Sequence, residues 1–329
     1  MGVVYGPVLS WRFGSSLGID LISGSKVCTF DCIYCQLGRT VLKVSKPGDF
    51  KNYVKAENVV KELEDFINKI DFNSVDVVTF SGSGEPTLNP ELGKIVEHVK
   101  DIVGEKPLVI LTNSSLFYLR KVREALSKID IVSAKLDAGD EKAFEIINRS
   151  YLEKLSINKV IGYIKEFKSI YDGKLMIQTM FLNTTLGFTN SEGEHFEKLI
   201  DAYLKIEPDV IQVDTPYRPG GEKFVKPVSI EKLKNIGDVL ANYFPRDNIW
   251  VFGLHDKSRK KIVWKRKEHK SIILDTLKRR PLRLVDIANL LNVSSEEAYK
   301  IVEQLKKDEL IKEKILQGEV YYIIAHFHY

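Results

Sequence analysis

Three cysteines occupy one eight-residue run, Cys28-Thr-Phe-Asp-Cys32-Ile-Tyr-Cys35, and the chain has no others. Free cysteine is often a small buried hydrophobe. Three of them in one run, with none elsewhere, point instead to shared chemistry. Structural zinc takes four ligands, usually as two short pairs or with histidine in the set. The nearest histidine in sequence is His98, so zinc lacks a local fourth ligand. Soft thiolates also select iron–sulfur clusters. A [4Fe–4S] cube held by three thiolates leaves one iron with an open position, as a reactive metal site requires. A second run, Phe80-Ser-Gly82-Ser-Gly84-Glu85-Pro-Thr-Leu88, begins about fifty residues on. Its glycines read either as a turn that needs positive φ or as backbone that lets a ligand come close. Glu85 is the acid beside them.

These runs need elements to hold them. Residues 75–80, 108–112, 129–136, 174–182, 209–214 and 248–253 carry strand signals, and the apolar stretch Leu17–Ile22 leads into the cysteines. Helical patterns fill 91–103, 117–127, 141–149, 156–168, 192–205 and 229–243. Short strands alternating with longer helices predict βαβ units and a parallel sheet. About six units fit an α/β fold, a partial (β/α)6 TIM-like barrel; a doubly wound sheet is the alternative, and strand order separates the two. In both, function sits at the C-terminal ends of the strands. Asn113, Ser114, Lys135, Asp137, Gln178 and Asp214 fall at or near such ends, and Tyr217 and Arg218 sit in a proline-framed loop beyond. Each also reads as a helix cap or a satisfied barrel polar group, and Lys135 with Asp137 as an ion pair.

From 257 the texture changes. Residues 257–270 hold eight Lys or Arg in fourteen, a basic linker after a first domain over 1–256. Residues 271–329 form a second, smaller domain. Helices over 268–278, 284–291 and 295–308, then strands 310–316 and 319–324 about Gln317-Gly318, give a winged-helix order. Ser294 and Ser295 are its N-cap candidates. The basic linker suits RNA or DNA, with Trp264 stacking on a base or packing on the barrel. Helix 295–308 mixes Glu296, Glu297, Glu303 and Asp308 with Lys300, Lys306 and Lys307, which suits protein contact better than a major groove. The tail, His326 to Tyr329, reads as a frayed terminus.

Composition sets the class. In 329 residues, 44% are hydrophobic and 29% charged, with a net charge of +4. That is a globular composition, and it excludes a disordered chain, a collagen-like fibre and a coiled-coil rod. No apolar run approaches the roughly 18 residues of a membrane helix. The first residues lack a basic segment followed by an apolar one. With three thiols and no disulfide scaffold, the expectation is a cytoplasmic protein and no membrane partner.

The CxxxCxxC spacing, with aromatic Tyr34 before the last cysteine, resembles the radical S-adenosylmethionine (SAM) superfamily. The Gly82-Ser-Gly84-Glu85 run resembles that family's glycine–glycine–glutamate motif. Tyr5-Gly-Pro-Val-Leu-Ser-Trp-Arg12-Phe-Gly14, Cys35-Gln-Leu-Gly38-Arg39-Thr40 and Thr215-Pro-Tyr-Arg218-Pro219 are similar to a branch grouped with the tRNA wyosine synthases. The likeness spans about 5–255. It implies that Cys28, Cys32 and Cys35 hold a [4Fe–4S] cluster. Tyr34, Gly82, Gly84, Glu85, Asn113, Ser114, Lys135 and Gln178 would bind SAM. Arg39, Asp137, Asp214, Tyr217 and Arg218 would be substrate or catalytic residues. The implied reaction is reductive SAM cleavage to a 5′-deoxyadenosyl radical that abstracts hydrogen from substrate, with tRNA or RNA modification as the leading use. A ferredoxin or flavodoxin would supply the electron. A small metabolite or a protein is the alternative substrate. An iron–sulfur redox-sensing winged-helix regulator of DNA is the alternative outside enzymes. With no Cys beyond 28–35, the chain has no thiolates for the second cluster that wyosine synthases carry, and no cysteine hydrogen donor.

Overall fold

The computed structural model describes residues 2–22, 24–51, 53–257, 261–265 and 268–325. Parts of the basic linker (258–260, 266–267) and His326 and His328 lie outside them. One curled sheet runs through the first three-quarters of the chain. Its strands are β1 (Val4–Ser10), β2 (Gly14–Ile19), β3 (Val77–Phe80), β4 (Leu108–Thr112), β5 (Ile131–Lys135), β6 (Lys174–Met180), β7 (Val210–Asp214) and β8 (Ile249–Val251). They lie side by side in chain order. β1 pairs antiparallel with β2, and every later pair is parallel. A doubly wound sheet reverses direction at a switch point. This one never does, so the partial barrel holds and the doubly wound alternative falls.

Helices cover the outside: α1 (Ala56–Ile67), α2 (Leu92–Val103), α3 (Arg120–Leu126), α4 (Glu141–Ile147), α5 (Ile157–Lys168), α6 (Gly193–Ile206) and α7 (Ile230–Leu240). α2 illustrates why. Leu92, Ile95, Val96, Val99 and Val103 recur at helical spacing and are buried as one stripe. α4 and α5 start at Asp140 and Ser156, whose side chains accept from Ala143 N and Lys159 N. Inside the sheet, near the strand N-termini, Phe13 packs with Val77, Val109, Met176 and Val210 and plugs the bottom. The open volume is therefore left at the C-terminal ends.

The last sixth of the chain holds α8 (His269–Leu277), α9 (Leu284–Leu291), α10 (Ser295–Lys307), β9 (Ile311–Leu316) and β10 (Glu319–Ile324), in the expected order. Ile273, Leu277, Ile287, Leu291, Val302 and Leu305 give this module its own core. Of the two cap candidates, Ser294 is used: its Oγ accepts from Glu297 N at 3.1 Å. The module is not a free appendage. α8 and α9 pack on β1. Tyr321 Oη of β10 donates to Tyr217 O, past the end of β7, at 2.6 Å. It thus bridges the two sides of the open barrel. Trp264 packs at this junction, its indole N–H on Leu290 O at 2.9 Å and its ring edge-on to Phe66.

Candidate functional site

The cysteine loop leaves β2 and folds over the strand ends. Its start is tied to the glycine loop after β3. Val27 N donates to Ser83 O at 3.2 Å, and Glu85 N to Val27 O at 3.0 Å. This contact explains Gly84, where an added Cβ would stand 1.8 Å from Val27 O. Gly82 is pressed in the same way against the Asp20 carboxyl, at 2.2 Å. The two motifs that sequence spacing singles out are one structural unit.

Cys28, Cys32 and Cys35 line a cavity of about 320 Å³ at the C-terminal ends of the strands. Burial pushes the Cys28 thiol up to about 11 and Cys32 up to about 12; for Cys32 the nearby Asp137 adds to the rise. As plain thiols both are neutral near pH 7, so thiolate character has to come from a bound metal, whose ligation releases the protons. Lys26 stands ready to offset the resulting charge. Burial disfavours its cation, but the pull of Cys35, Cys28 and Cys32 outweighs this and raises it. Its Nζ is fixed on Gly38 O at 2.8 Å. Amides face two sulfurs, with Asn113 Nδ2 at 3.5 Å from Cys28 Sγ and Asn148 Nδ2 at 3.5 Å from Cys32 Sγ. Among the described residues no three His, Cys, Asp or Glu side chains converge as ligands of a single ion. Three soft thiols on one cavity, with the Lys26 cation and two amides beside them, are the donor chemistry that an iron–sulfur cube takes.

Next to the thiols, Glu85 is buried and held on all sides. Oε1 accepts from Thr87 N, Thr87 Oγ1 and Thr112 Oγ1, and Oε2 from Asn113 N at 2.7 Å. Burial raises its pKa against the lowering by these donors. The carboxyl is oriented before any ligand arrives.

Most residues expected at the site share this cavity: Tyr34, Gly82, Gly84, Glu85, Asn113, Lys135, Gln178, Asp214, Tyr217 and Arg218. Three do not. Ser114 turns away in a left-handed conformation (φ 67°) and its hydroxyl donates to Lys135 O. Arg39 points outward to Asp31 and Glu222. Asp137 is buried behind the wall. It accepts from Tyr34 Oη, Asn148 Nδ2 and Met180 N, and Lys135 Nζ stands 2.8 Å away, off the hydrogen-bond direction. Asp137 thus orients two cavity residues without touching the cavity. Spacing alone misses this because a strand-end acid can point into the mouth or behind it.

Sequence reasoning also missed one wall. Arg12, from the β1–β2 turn, and Arg279 and Arg280, from the end of α8, line the same cavity. Their positions are more than 260 residues apart, and no local signal joins them. Trp11 meets Phe252 edge-on at 5.8 Å, and Phe252 stacks on Tyr217 at 4.2 Å, closing the gap between the hairpin and β8. Arg279 is the latch of the C-terminal module. Its Nε lies 2.9 Å from Asp20 Oδ2, both buried, and Asp20 in turn accepts from Ser83 N and Ser83 Oγ in the glycine loop.

A family model described as the Radical SAM superfamily matches residues 22–203. A UPF0026 protein of Methanocaldococcus jannaschii is 32% identical over 323 residues, covering 98% of this chain and 96% of its own length. A UPF0026 protein of Helicobacter pylori is 35% identical, over 70% of this chain and 72% of its own. A crystal structure of archaeal TYW1 superposes with a TM-score of 0.43 at 13% identity, covering 70% of this chain and 74% of that one. With the CxxxCxxC loop, the glycine loop and the partial barrel meeting at one cavity, the chain belongs to the Radical SAM superfamily, enzymes that use a [4Fe–4S] cluster and SAM.

Proposed function

We propose that Cys28, Cys32 and Cys35 hold one [4Fe–4S] cluster and that SAM lies between it and the glycine loop. The bound pair supplies a 5′-deoxyadenosyl radical when an electron arrives from a carrier of the ferredoxin or flavodoxin class. The chain's own residues do the rest. The close backbone approach at Gly84 and the fixed Glu85 carboxyl offer acceptors to an ammonium group. Lys135 and Gln178 offer donors. The aromatic wall of Trp11, Phe252 and Tyr217 excludes water from a reactive intermediate. The observation that carries the reading is the joining of both motifs on one cavity through Val27.

The substrate meets Asp214, Tyr217 and Arg218, which line the same cavity. A small organic molecule that enters this cavity whole is the first reading. RNA modification is the second reading, and the arginines of the cavity favour it, since they match a phosphate. It requires a single nucleotide to leave its stack and enter. The DNA-regulator reading draws little support from α10, where two of the three cations are engaged: Lys300 with Glu296, and Lys306 with Glu303 and Glu313. No helix among the described residues is long and apolar enough to cross a membrane. Three unpaired cysteines suit a reducing, cytoplasmic setting.

The test is anaerobic reconstitution with iron and sulfide, then reduction with SAM present. Formation of 5′-deoxyadenosine and methionine is expected. A chain that binds four irons but neither binds nor cleaves SAM would defeat the proposal. RNA that copurifies and raises the yield of 5′-deoxyadenosine would favour the second reading over the first.

A further inference from the structure

One wall of the cavity holds cations without anions. Arg12, Arg218 and Arg280 all line it, and among the described residues none stands within ion-pair distance of a carboxylate. Arg12 Nη1 donates only to the Gln212 amide oxygen, at 3.3 Å, and Arg218 Nη1 to the Tyr217 hydroxyl. The Arg218 guanidinium also lies 4.3 Å over the Tyr217 ring. The Nε atoms of Arg218 and Arg280 are buried and have no hydrogen-bond partner. Buried donors are almost always paired, and a buried unpaired cation is costly.

The nearest acids are already committed. Asp214 accepts from Gln178 Nε2 at 2.7 Å and from Thr215 N at 2.9 Å. Asp286 is held by Arg283. Burial first, and then repulsion from Arg218, lower the Arg280 pKa to about 10 against the pull of Tyr217, Asp286 and Tyr5. Arg12 is lowered too, first by burial, with Arg218 adding to the effect and Asp214 opposing it. Guanidiniums gathered at such expense match the geometry of phosphate and carboxylate oxygens.

We infer that Arg12, Arg218 and Arg280 form a subsite for an anionic group of the substrate, a phosphate or a carboxylate. Two of its arginines belong to the barrel and the third to the C-terminal module. The Arg279–Asp20 latch carries Arg280 to the cavity, so the module completes the site. The inference deepens the radical SAM reading and rests on it for the word substrate; the subsite itself does not require a cluster.

The test therefore starts with the full chain before reconstitution. Inorganic phosphate and succinate are titrated calorimetrically into the wild type and into Arg218→Gln, Arg280→Gln and, as a control, Arg120→Gln on the exposed face of α3. Saturable binding of at least one anion is expected. Each cavity variant should weaken it about 10- to 100-fold, the loss of one charge-assisted pair. Arg120→Gln should leave it unchanged, and Arg280→Lys should recover part of the loss. The tighter of the two anions identifies the group. Absence of saturable binding in the folded wild type overturns the subsite, as does binding indifferent to Arg218 and Arg280. In reconstituted protein, displacement of phosphate by SAM would put the cofactor's own carboxylate at these arginines and overturn the assignment to substrate. Iron content and 5′-deoxyadenosine are read on the same preparations. Anion binding without SAM cleavage would then count against the radical reading alone, and cleavage without anion binding against the subsite alone.

Discussion

The two walls of the cavity are built on opposite principles. On the glycine-loop side the two buried carboxylates are satisfied within the chain: Glu85 takes four donors, and Asp20 is shared by Ser83 and Arg279. On the arginine side the Nε atoms of Arg218 and Arg280 are buried without partners. A satisfied wall keeps its shape whether or not a ligand is present. An unsatisfied one stores a cost that a ligand of opposite charge relieves. The first arrangement suits a cofactor bound in the same pose at every turnover, the second a group that must arrive for the site to close.

The contrast can be broken most severely at the thiols. Cys32→Ala should abolish SAM cleavage, by at least about a thousandfold on the view that all three ligands are needed to hold the reactive cluster, with iron per chain falling in parallel. Phosphate binding at the arginines should survive the same change. Loss of both together would mean that the walls are not independent.

The neighbouring pair Arg279 and Arg280 sharpens the contrast in one step. Arg279→Ala leaves Asp20 buried without its cation and should cost about 3–5 kcal/mol, read by denaturant unfolding. Adding Asp20→Asn should recover part of this. Arg280→Gln should leave the melting temperature of the ligand-free protein unchanged or raise it. The sign follows from linkage. A folded-state pKa lowered to about 10 means that the Arg280 charge weakens the fold at every pH below about 10, and the penalty fades as pH rises above that value. The advantage of Arg280→Gln should accordingly be flat between pH 6 and pH 9, in round numbers, when melts are compared. A large loss of stability in Arg280→Gln would contradict the unsatisfied wall.

Gly84→Ala should follow in size. The new methyl collides with Val27 O, so the joined motifs must part, at about 1–3 kcal/mol of backbone strain. SAM affinity should fall by about tenfold or more, while iron content changes less. The smallest effect belongs to the module's outer face. Lys300→Ala removes an exposed pair with Glu296 and should shift the melting temperature by less than about 2 °C, with anion binding untouched.

Much of this was legible in the residues because its signals are local. Thiol spacing, the glycine loop and the alternation of strand and helix each act over a few residues, and the helix and hairpin order of the C-terminal module follows from caps and turns. Other parts had a signal that went unused. Ala56, Val59 and Leu63 recur at helical spacing and are the buried stripe of α1. β1 was hidden for a different reason: Gly6 and Pro7 interrupt its register, and Gly-Pro reads as a turn. Ser114 and Asp137 sit where strand ends should place site residues, but backbone direction, which spacing does not carry, turns them away. The arginine wall is nonlocal altogether. It exists only because α8 docks on β1 and brings Arg279 to Asp20.

The most direct test of the shared cavity is the electron paramagnetic resonance spectrum of the reduced, reconstituted protein before and after SAM is added. The account predicts a cluster signal that shifts with SAM, because the open iron and the glycine loop face one space, and a shift that needs about tenfold more SAM in Gly84→Ala. A reduced cluster whose spectrum ignores saturating SAM would contradict it.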